Sequence, residues 1–340
     1  MSLLDQERDE QRFGRRRALL DSRFIILLSV SLAFAVVALF QLKGSESSPP
    51  ISQVLVPERF VDLSKPSGGS RDPRSDDDSE KPALRVAVAP VLSPEESIQM
   101  YEGLVEYLAG ALGRRPVFLQ RKSYAETNDL VRYGLCDLAL VCTYSLVRGE
   151  QEFGMEVLAV PVVDGVTEYH SLIVVSEANP ADSLTELRGQ RFASADIIST
   201  SGWLYPAMWL KERGINADEF FSEHLIVGSH DRSIRAVASG YADAAAVHSL
   251  VYEQVVNGSP EISGKTRIIQ KSPPYGMPPV VVSPDIDPAL RDESSSTLLS
   301  MHQNSTGKGV LKEIGIDRFV APEAAIYDDI RKAVKAWESR

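Results

Sequence analysis

The chain has 340 residues, of which 44% are hydrophobic and 24% charged, a balance typical of a globular protein with a buried core. Its formal net charge of -11 at pH 7 excludes a nucleic-acid partner held mainly by phosphate contacts. A small anionic ligand is still compatible with this charge, because helix N-termini and hydroxyl groups act locally. Cys136 and Cys142 lie in one predicted strand, roughly 20 Å apart and too distant for a disulfide. We expect free thiols, no metal site and no cofactor.

The N-terminal residues predict a membrane anchor. Residues 1–23 form a polar, arginine-rich tail, and residues 24–42 contain no charged side chain. A helix of that length spans roughly 28 Å, about the thickness of a bilayer core. Because the arginines precede it, we predict a cytoplasmic tail and a translocated C-terminal part. A cleaved signal peptide is the competing interpretation, but its apolar region is usually shorter.

A flexible linker is predicted at residues 43–82. This stretch is rich in Ser, Pro, Gly and Asp, and such a composition buries too little apolar surface to offset chain entropy. Together with the anchor, it predicts a single-pass protein of the inner (cytoplasmic) membrane, with its C-terminal domain in the periplasm or outside the cell.

Beyond the linker, strand and helix patterns alternate. Strands are predicted at residues 84–90, 116–120 and 137–142. A helix follows the first strand, with Ser93 as its N-cap, Glu96 completing a capping box, and Ile98 on its buried stripe. The order β-α-β-α-β is typical of a doubly wound α/β lobe, where ligands lie off the carboxyl ends of the strands.

The rest of the chain predicts a second α/β lobe inserted into the first. Further strands are predicted at residues 157–163, 171–175, 191–195, 225–227, 242–247, 266–270 and 280–282, and final helices near 287–304, 307–314 and 323–338. We assign residues 83–165 and 249–340 to the first lobe and residues 166–248 to the second. Two lobes joined in this way leave a cleft, the usual place for a small ligand.

A run of hydroxyl residues, Ser199, Thr200 and Ser201, stands between the strand at residues 191–195 and a helical pattern. A helix N-terminus presents free backbone N–H groups and a positive dipole end to an anion. The alternative is that one serine merely caps the helix. Because a cap needs one hydroxyl, and because Gly202 lets backbone approach a ligand closely, the pattern favours an anion site.

The sequence does not indicate an enzyme. It contains no GxSxG, HExxH or GxxxxGK[ST] motif, and its five histidines show no metal-ligand spacing.

Several motifs in register resemble the phosphate/phosphite/phosphonate-binding proteins of ABC transporters. The resemblance extends from about residue 84 to residue 334 and includes the runs at residues 88–95, 122–126, 134–143, 199–202, 228–230 and 242–245. It implies a type 2 periplasmic-binding-protein fold, with two α/β lobes that close on an oxyanion.

Carried over position by position, the resemblance implies a ligand site. The hydroxyl clamp corresponds to Ser199, Thr200 and Ser201, and the aromatic wall corresponds to Tyr124. The histidine donor corresponds to His230. Ser93 and Thr143 lie in the loops that face the cleft.

Two positions depart from the family pattern. Tyr144 follows Thr143 directly, so an aromatic donor that the family has farther along is displaced or lost, and Tyr144 is the candidate in its place. His248 stands where the family often has an acidic or polar contact. If His248 binds the ligand, affinity should vary between about pH 5.5 and 7.5, where histidine titrates.

Two functions fit these features. The first is a membrane-anchored solute receptor that closes on phosphate, phosphite or phosphonate and delivers it to an ABC permease. The second is a sensor or scaffold of the same fold that signals anion binding to a membrane partner. We favour the receptor, because a cytoplasmic tail of about 23 residues is too short for an output domain.

Overall fold

The computed structural model describes residues 81–339 of the chain. The predicted tail at 1–23, the predicted anchor at 24–42 and almost all of the predicted linker lie outside these residues. Across residues 81–339, no helix combines the length and apolar character needed to cross a membrane.

The first part of the described chain alternates strands and helices, as the sequence predicts. Its elements are β1 (Ala83–Val88), α1 (Pro94–Ala111), β2 (Arg115–Gln120), α2 (Tyr124–Arg132), β3 (Leu138–Leu140), α3 (Thr143–Phe153) and β4 (Glu156–Val162). β1 pairs in parallel with both β2 and β3.

A second sheet follows. Its region contains β5 (Glu168–Tyr169), β6 (Ser171–Ser176), β7 (Arg191–Ser194), α4 (Tyr205–Lys211), α5 (Ala217–Phe220), β8 (Glu223–Ile226), α6 (His230–Ala238), β9 (Ala244–His248), α7 (Ser249–Gly258) and β10 (Thr266–Lys271). The strand order is β10-β6-β9-β7-β8.

The chain then returns to the first sheet. The returning elements are β11 (Tyr275–Gly276), β12 (Val280–Val282), α8 (Pro288–Ser300), α9 (Ser305–Glu313), β13 (Arg318–Val320) and α10 (Asp328–Glu338). The first sheet has the order β13-β4-β12-β3-β1-β2, and β5 pairs with β11 as a two-stranded ribbon where the chain passes between the sheets.

Both faces of the second sheet are covered, because successive strand side chains point to opposite sides. Ile173, Val175 and Phe192 pack into one hydrophobic cluster. Leu172 and Val174 pack into another, together with side chains of α6 and α7. The turns at the ends of these strands therefore follow strands that are packed on both faces of the sheet.

The predicted lobe boundary between residues 248 and 249 is wrong. β10 pairs antiparallel with β6, with Thr266 opposite Ser176, so it belongs to the second sheet. Val251 and Val255 of α7 also pack in the core of that sheet. The chain leaves the second lobe after Lys271. A strand pattern specifies an extended segment but not the sheet edge it joins.

Other local predictions need correction. Ile98 is 42% exposed rather than buried, and Ser93 precedes α1 without a side-chain capping bond. The strand predicted at residues 137–142 ends at Leu140, and α3, which was not predicted, starts at Thr143. The prediction of two buried free thiols, Cys136 and Cys142, is confirmed.

Candidate functional site

The hydroxyl run forms the start of a helix, as predicted. After β7, Ser199 accepts a hydrogen bond from the Gly202 N–H at 3.0 Å. A π-helical turn, Thr200–Leu204, then leads into α4. Ser199, Thr200 and Ser201 are all at most 1% exposed. Ser199 is thus a helix cap. The capping role does not exclude an anion site, because both would use the same turn.

The Thr200 hydroxyl contacts the first lobe. Its Oγ1 accepts the backbone N–H of Tyr144 at 2.8 Å and lies 3.4 Å from the Cys142 thiol. The Thr200 N–H points at the same sulfur at 3.3 Å. The N-terminus of α3 therefore meets the hydroxyl turn, and the two lobes touch at this point.

His230, the first residue of α6, packs against the hydroxyl turn. Its N–H donates to the Val91 carbonyl at 2.9 Å, and its Nδ1 accepts the His248 N–H at 3.2 Å. Burial lowers the His230 pKa to about 4, so the ring is neutral and its proton is on Nε2. Nε2 lies 3.3 Å from Ser199 Oγ. Ser199 thus accepts two hydrogen bonds, and its own proton is available to another acceptor.

Two buried hydroxyls near this turn have no hydrogen-bond partner within the described part of the chain. Tyr124 Oη and Ser201 Oγ form no hydrogen bond of normal geometry with any described residue. Burial raises the pKa of Tyr124 well above its usual value, so it remains a protonated donor. Its backbone N–H donates to Asp196 across the lobe interface at 3.0 Å. A buried donor without an acceptor is destabilising, and an anion's oxygen would satisfy it.

His248 packs beside this cluster. Its ring stacks on Tyr169, with centroids 4.0 Å apart and an interplanar angle of 10°. Burial, and to a lesser extent the nearby His230, lowers the His248 pKa well below its usual value. The expected pH dependence between 5.5 and 7.5 is therefore not supported, because titration moves to lower pH.

Tyr169, which the sequence patterns do not single out, packs among the same residues. Its hydroxyl is 3.3 Å from Thr143 Oγ1, which in turn donates to the Gly276 carbonyl at 3.1 Å. Tyr169 lies in the segment that connects the lobes, next to the interface between them, and domain interfaces are a common place for small-molecule sites. The sequence feature that could have identified Tyr169 is the presence of an aromatic residue in the segment that connects the lobes.

Two predicted side chains do not reach the cluster. The Tyr144 hydroxyl donates to Glu338 of α10 at 3.2 Å, so only the Tyr144 backbone contributes. Ser93 makes its interlobe contact through its N–H, which donates to Asp231 at 2.8 Å. The remaining predicted residues lie in or beside the cluster, and their ligand contacts stay predictions.

The hydroxyl cluster, meaning Tyr124, Thr143, Tyr169, Ser199, Thr200, Ser201 and His230, is suited to binding an oxyanion. The N-termini of α3, α6 and the Thr200 turn converge on it, so partial positive charge accumulates there. Among the described residues, no Lys or Arg hydrogen-bonds to the cluster, and no three His, Cys, Asp or Glu side chains could hold a metal ion. The cluster donates hydrogen bonds through neutral groups.

The sequence of residues 86–327 matches the family described as the periplasmic substrate-binding protein of phosphonate ABC transporters. The chain is 25% identical over 241 residues to the probable phosphite-binding protein PhnD1 of Prochlorococcus marinus, covering 68% of this chain and 76% of that protein. It is 26% identical over 222 residues to the phosphate-import protein PhnD of Mycolicibacterium smegmatis, covering 62% of this chain and 69% of that protein.

Solved structures show the same fold. The structure of Prochlorococcus marinus PhnD1 with methylphosphonate has a TM-score of 0.68 at 22% identity, covering 76% of this chain and 99% of that one. A binding protein of a phosphonate ABC transporter from Pseudomonas aeruginosa has a TM-score of 0.71 at 20% identity, covering 75% and 86%. These similarities show the two-lobed α/β fold of periplasmic binding proteins.

Proposed function

Because the chain belongs to the family of periplasmic substrate-binding proteins of phosphonate ABC transporters, we propose that it closes on a small oxyanion between its lobes and delivers it to an ABC permease. Members of this family bind a substrate for transport and are not enzymes. The proposed ligands are phosphate, phosphite or a phosphonate. The relatives support this range, since two are named for phosphite and phosphate, and one structure contains methylphosphonate.

One observation carries the proposal. A buried hydroxyl from each lobe, Tyr124 of α2 and Ser201 of the Thr200 turn, has no hydrogen bond of normal geometry within residues 81–339, and Ser199 lies close to that of Tyr124. In the proposed complex both hydroxyls donate to the anion, together with Ser199, whose proton is available. Thr200 and His230 hold these donors in place through their contacts with Tyr144 and Ser199.

The proposed location follows from the family and the N-terminal sequence. A periplasmic binding protein works outside the cytoplasm. We further propose that residues 24–42 hold the chain in the inner membrane as a single-pass anchor, because they carry no charge and follow an arginine-rich tail. Tethering would keep the binding domain at high local concentration near its permease.

Calorimetry on the full chain tests the ligand assignment. Phosphate, phosphite and methylphosphonate are titrated alongside sulfate, which has the same shape without phosphorus. We expect a phosphorus oxyanion to bind, and Ser201→Ala to weaken binding about tenfold to a hundredfold, the effect of losing a hydrogen bond to a charged group. Ser201 suits this test because the substitution breaks no side-chain hydrogen bond within the described residues.

Ser294→Ala is the matched control. The Ser294 hydroxyl is also buried and has no hydrogen-bond partner in the part of the chain that the structure describes, but it lies in α8, away from the hydroxyl cluster. Its removal should leave affinity unchanged. The proposal is wrong if no phosphorus oxyanion binds, or if Ser201→Ala binds as tightly as the wild type.

A further inference from the structure

A largely apolar cavity of about 480 Å³ lies beside the hydroxyl cluster. Its walls come from both lobes, since α7 of the second lobe faces α1, β12 and the α9–β13 segment of the first. The volume falls within the range of about 300–1,000 Å³ that small-molecule sites occupy. The apolar wall includes Met100, Leu140, Leu250, Val251, Met277 and Phe319.

The cavity adjoins the hydroxyl cluster through His248, whose ring stacks on Tyr169 of the cluster, although no residue of the cluster itself lines the cavity. Ser199, Thr200 and Ser201 do not line the cavity, but His248 does. Val91, another wall residue, accepts the His230 N–H through its carbonyl. A group bound at the hydroxyl cluster therefore has the cavity next to it, on the side of His248.

Polar atoms on the cavity wall are left without partners. His248 is 5% exposed, and its Nδ1 accepts the Leu250 N–H at 3.3 Å, which places the ring proton on Nε2. Within residues 81–339, neither that Nε2 nor the hydroxyl of Tyr101 forms a hydrogen bond with the protein. These donors mark the polar part of an otherwise apolar wall.

The mouth of the cavity is net acidic. Asp164, Glu253, Glu313 and Lys312 lie on its lining and are exposed. None of them forms an ion pair with another described residue. Three carboxylates and one ammonium disfavour an anionic group at the mouth. The mouth therefore disfavours an anionic substituent, and the apolar wall favours an uncharged apolar one.

We propose that this cavity holds the organic substituent of the bound anion, so that the ligand is a phosphonate with an uncharged apolar substituent. This inference rests on the proposed function, because the phosphonate oxygens are placed at the hydroxyl cluster. The substituent passes His248 and replaces water against the aliphatic wall. The apolar surface that becomes buried then adds to the affinity that the cluster provides.

A chain-length series tests the inference. Methyl-, propyl- and hexylphosphonate are titrated into the full chain held in lipid nanodiscs, with empty nanodiscs as the blank. Each fully buried methylene should raise affinity about fourfold, from the usual transfer free energy of a CH₂ group. We expect hexylphosphonate to bind at least about tenfold tighter than methylphosphonate, since burial of the chain is partial.

Two variants fill the cavity from different walls, Ile316→Trp and Met100→Trp. Both should remove the gain of hexylphosphonate over methylphosphonate while methylphosphonate affinity stays within about twofold, which also shows that the variants fold. Ile268→Trp is the matched control, because Ile268 is 45% exposed on β10 and does not line the cavity. It should keep the gain.

The experiment distinguishes failure of this inference from failure of the proposed function. Binding of methylphosphonate with no gain from a longer chain overturns the inference and leaves the proposed function intact. A gain that survives in both filling variants also overturns it. If methylphosphonate, phosphite and phosphate all fail to bind, the proposed function is wrong, and this inference is wrong with it.

Discussion

Gly202 packs tightly against Ser199 and His230 of the hydroxyl cluster. A Cβ atom at this position would lie 2.9 Å from Ser199 Oγ and 3.3 Å from a ring carbon of His230. We predict that Gly202→Ala displaces the Ser199 side chain and breaks its contacts with the Gly202 N–H and with His230. The free energy of unfolding should fall by about 1–3 kcal/mol, and anion affinity by about tenfold. Urea unfolding and calorimetry measure the two effects.

Gly309→Ala is the control for this substitution. Gly309 lies exposed in α9, and a Cβ there would have no neighbour within 4 Å. Alanine should stabilise the helix by up to about 1 kcal/mol and leave affinity unchanged. Wild-type binding by Gly202→Ala would show that the Ser199–His230 contact does not organise the site.

At the level of single residues, the sequence pattern predicts the backbone position of the hydroxyl turn better than it predicts side-chain directions. Ser199 and Ser201 lie where the strand–turn–helix pattern placed them. Tyr144 was expected to supply an aromatic donor, but α3 turns its ring toward Glu338, and Tyr169 occupies the cluster instead. The direction of a helical side chain depends on where the helix begins, and α3 was not predicted.

Among the elements, two of the helices that were not predicted begin at or close to a strand end. α3 starts shortly after β3, and α7 follows β9 without an intervening loop. Gly149 within α3 also weakens its helical pattern, yet the structure uses it for close contact, since a Cβ there would meet the Met155 side chain at 2.6 Å. Tertiary packing overrides local propensity at such a position.

The start of α6 contributes a contact between the two lobes. Asp231 is buried and its Oδ1 accepts the Ser93 N–H of the first lobe at 2.8 Å. We predict that Asp231→Ala weakens lobe closure by about 1.5–3 kcal/mol, the contribution of a hydrogen bond to a charged group. Small-angle X-ray scattering should then show a larger radius of gyration without ligand and a return toward the wild-type value with ligand.

Asp243→Ala separates lobe closure from general stability. Asp243 forms its ion pair with Arg191 at 2.8 Å, inside the second lobe. Its removal should lower stability without changing the radius of gyration. An identical radius for Asp231→Ala and the wild type would contradict a closing role for the α6 contact.

For the molecule as a whole, the periodicity of the sequence is sufficient to predict the two-lobed α/β architecture. It is not sufficient to predict the residue at which the chain returns from the second lobe to the first. Each strand from β6 to β9 matches a predicted pattern. β10 was also predicted as a strand, yet its pairing with β6 depends on contacts between residues far apart in sequence, such as Tyr252 with Thr266 and Arg267 with Asp182. Local patterns do not encode such pairings.

The buried histidines make the stability of the whole molecule depend on pH. Burial lowers the His230 pKa to about 4, and it also lowers that of His248. Unfolding exposes both rings and restores their ordinary pKa near 6.5. Between these values the unfolded chain binds more protons than the folded one, so stability is present above about pH 6.5 and is lost as the pH falls toward 4.

For His230 alone this loss is on the order of 3 kcal/mol across that interval. We predict that the melting temperature falls steadily from pH 6.5 to 4 in the wild type, and falls less steeply in His230→Gln, which has no ring to protonate. Differential scanning calorimetry of both proteins over this interval gives the two slopes. Because acidic side chains contribute equally to both proteins, the difference between the slopes isolates the histidine. Parallel curves would show that His230 is not held neutral at the lobe interface.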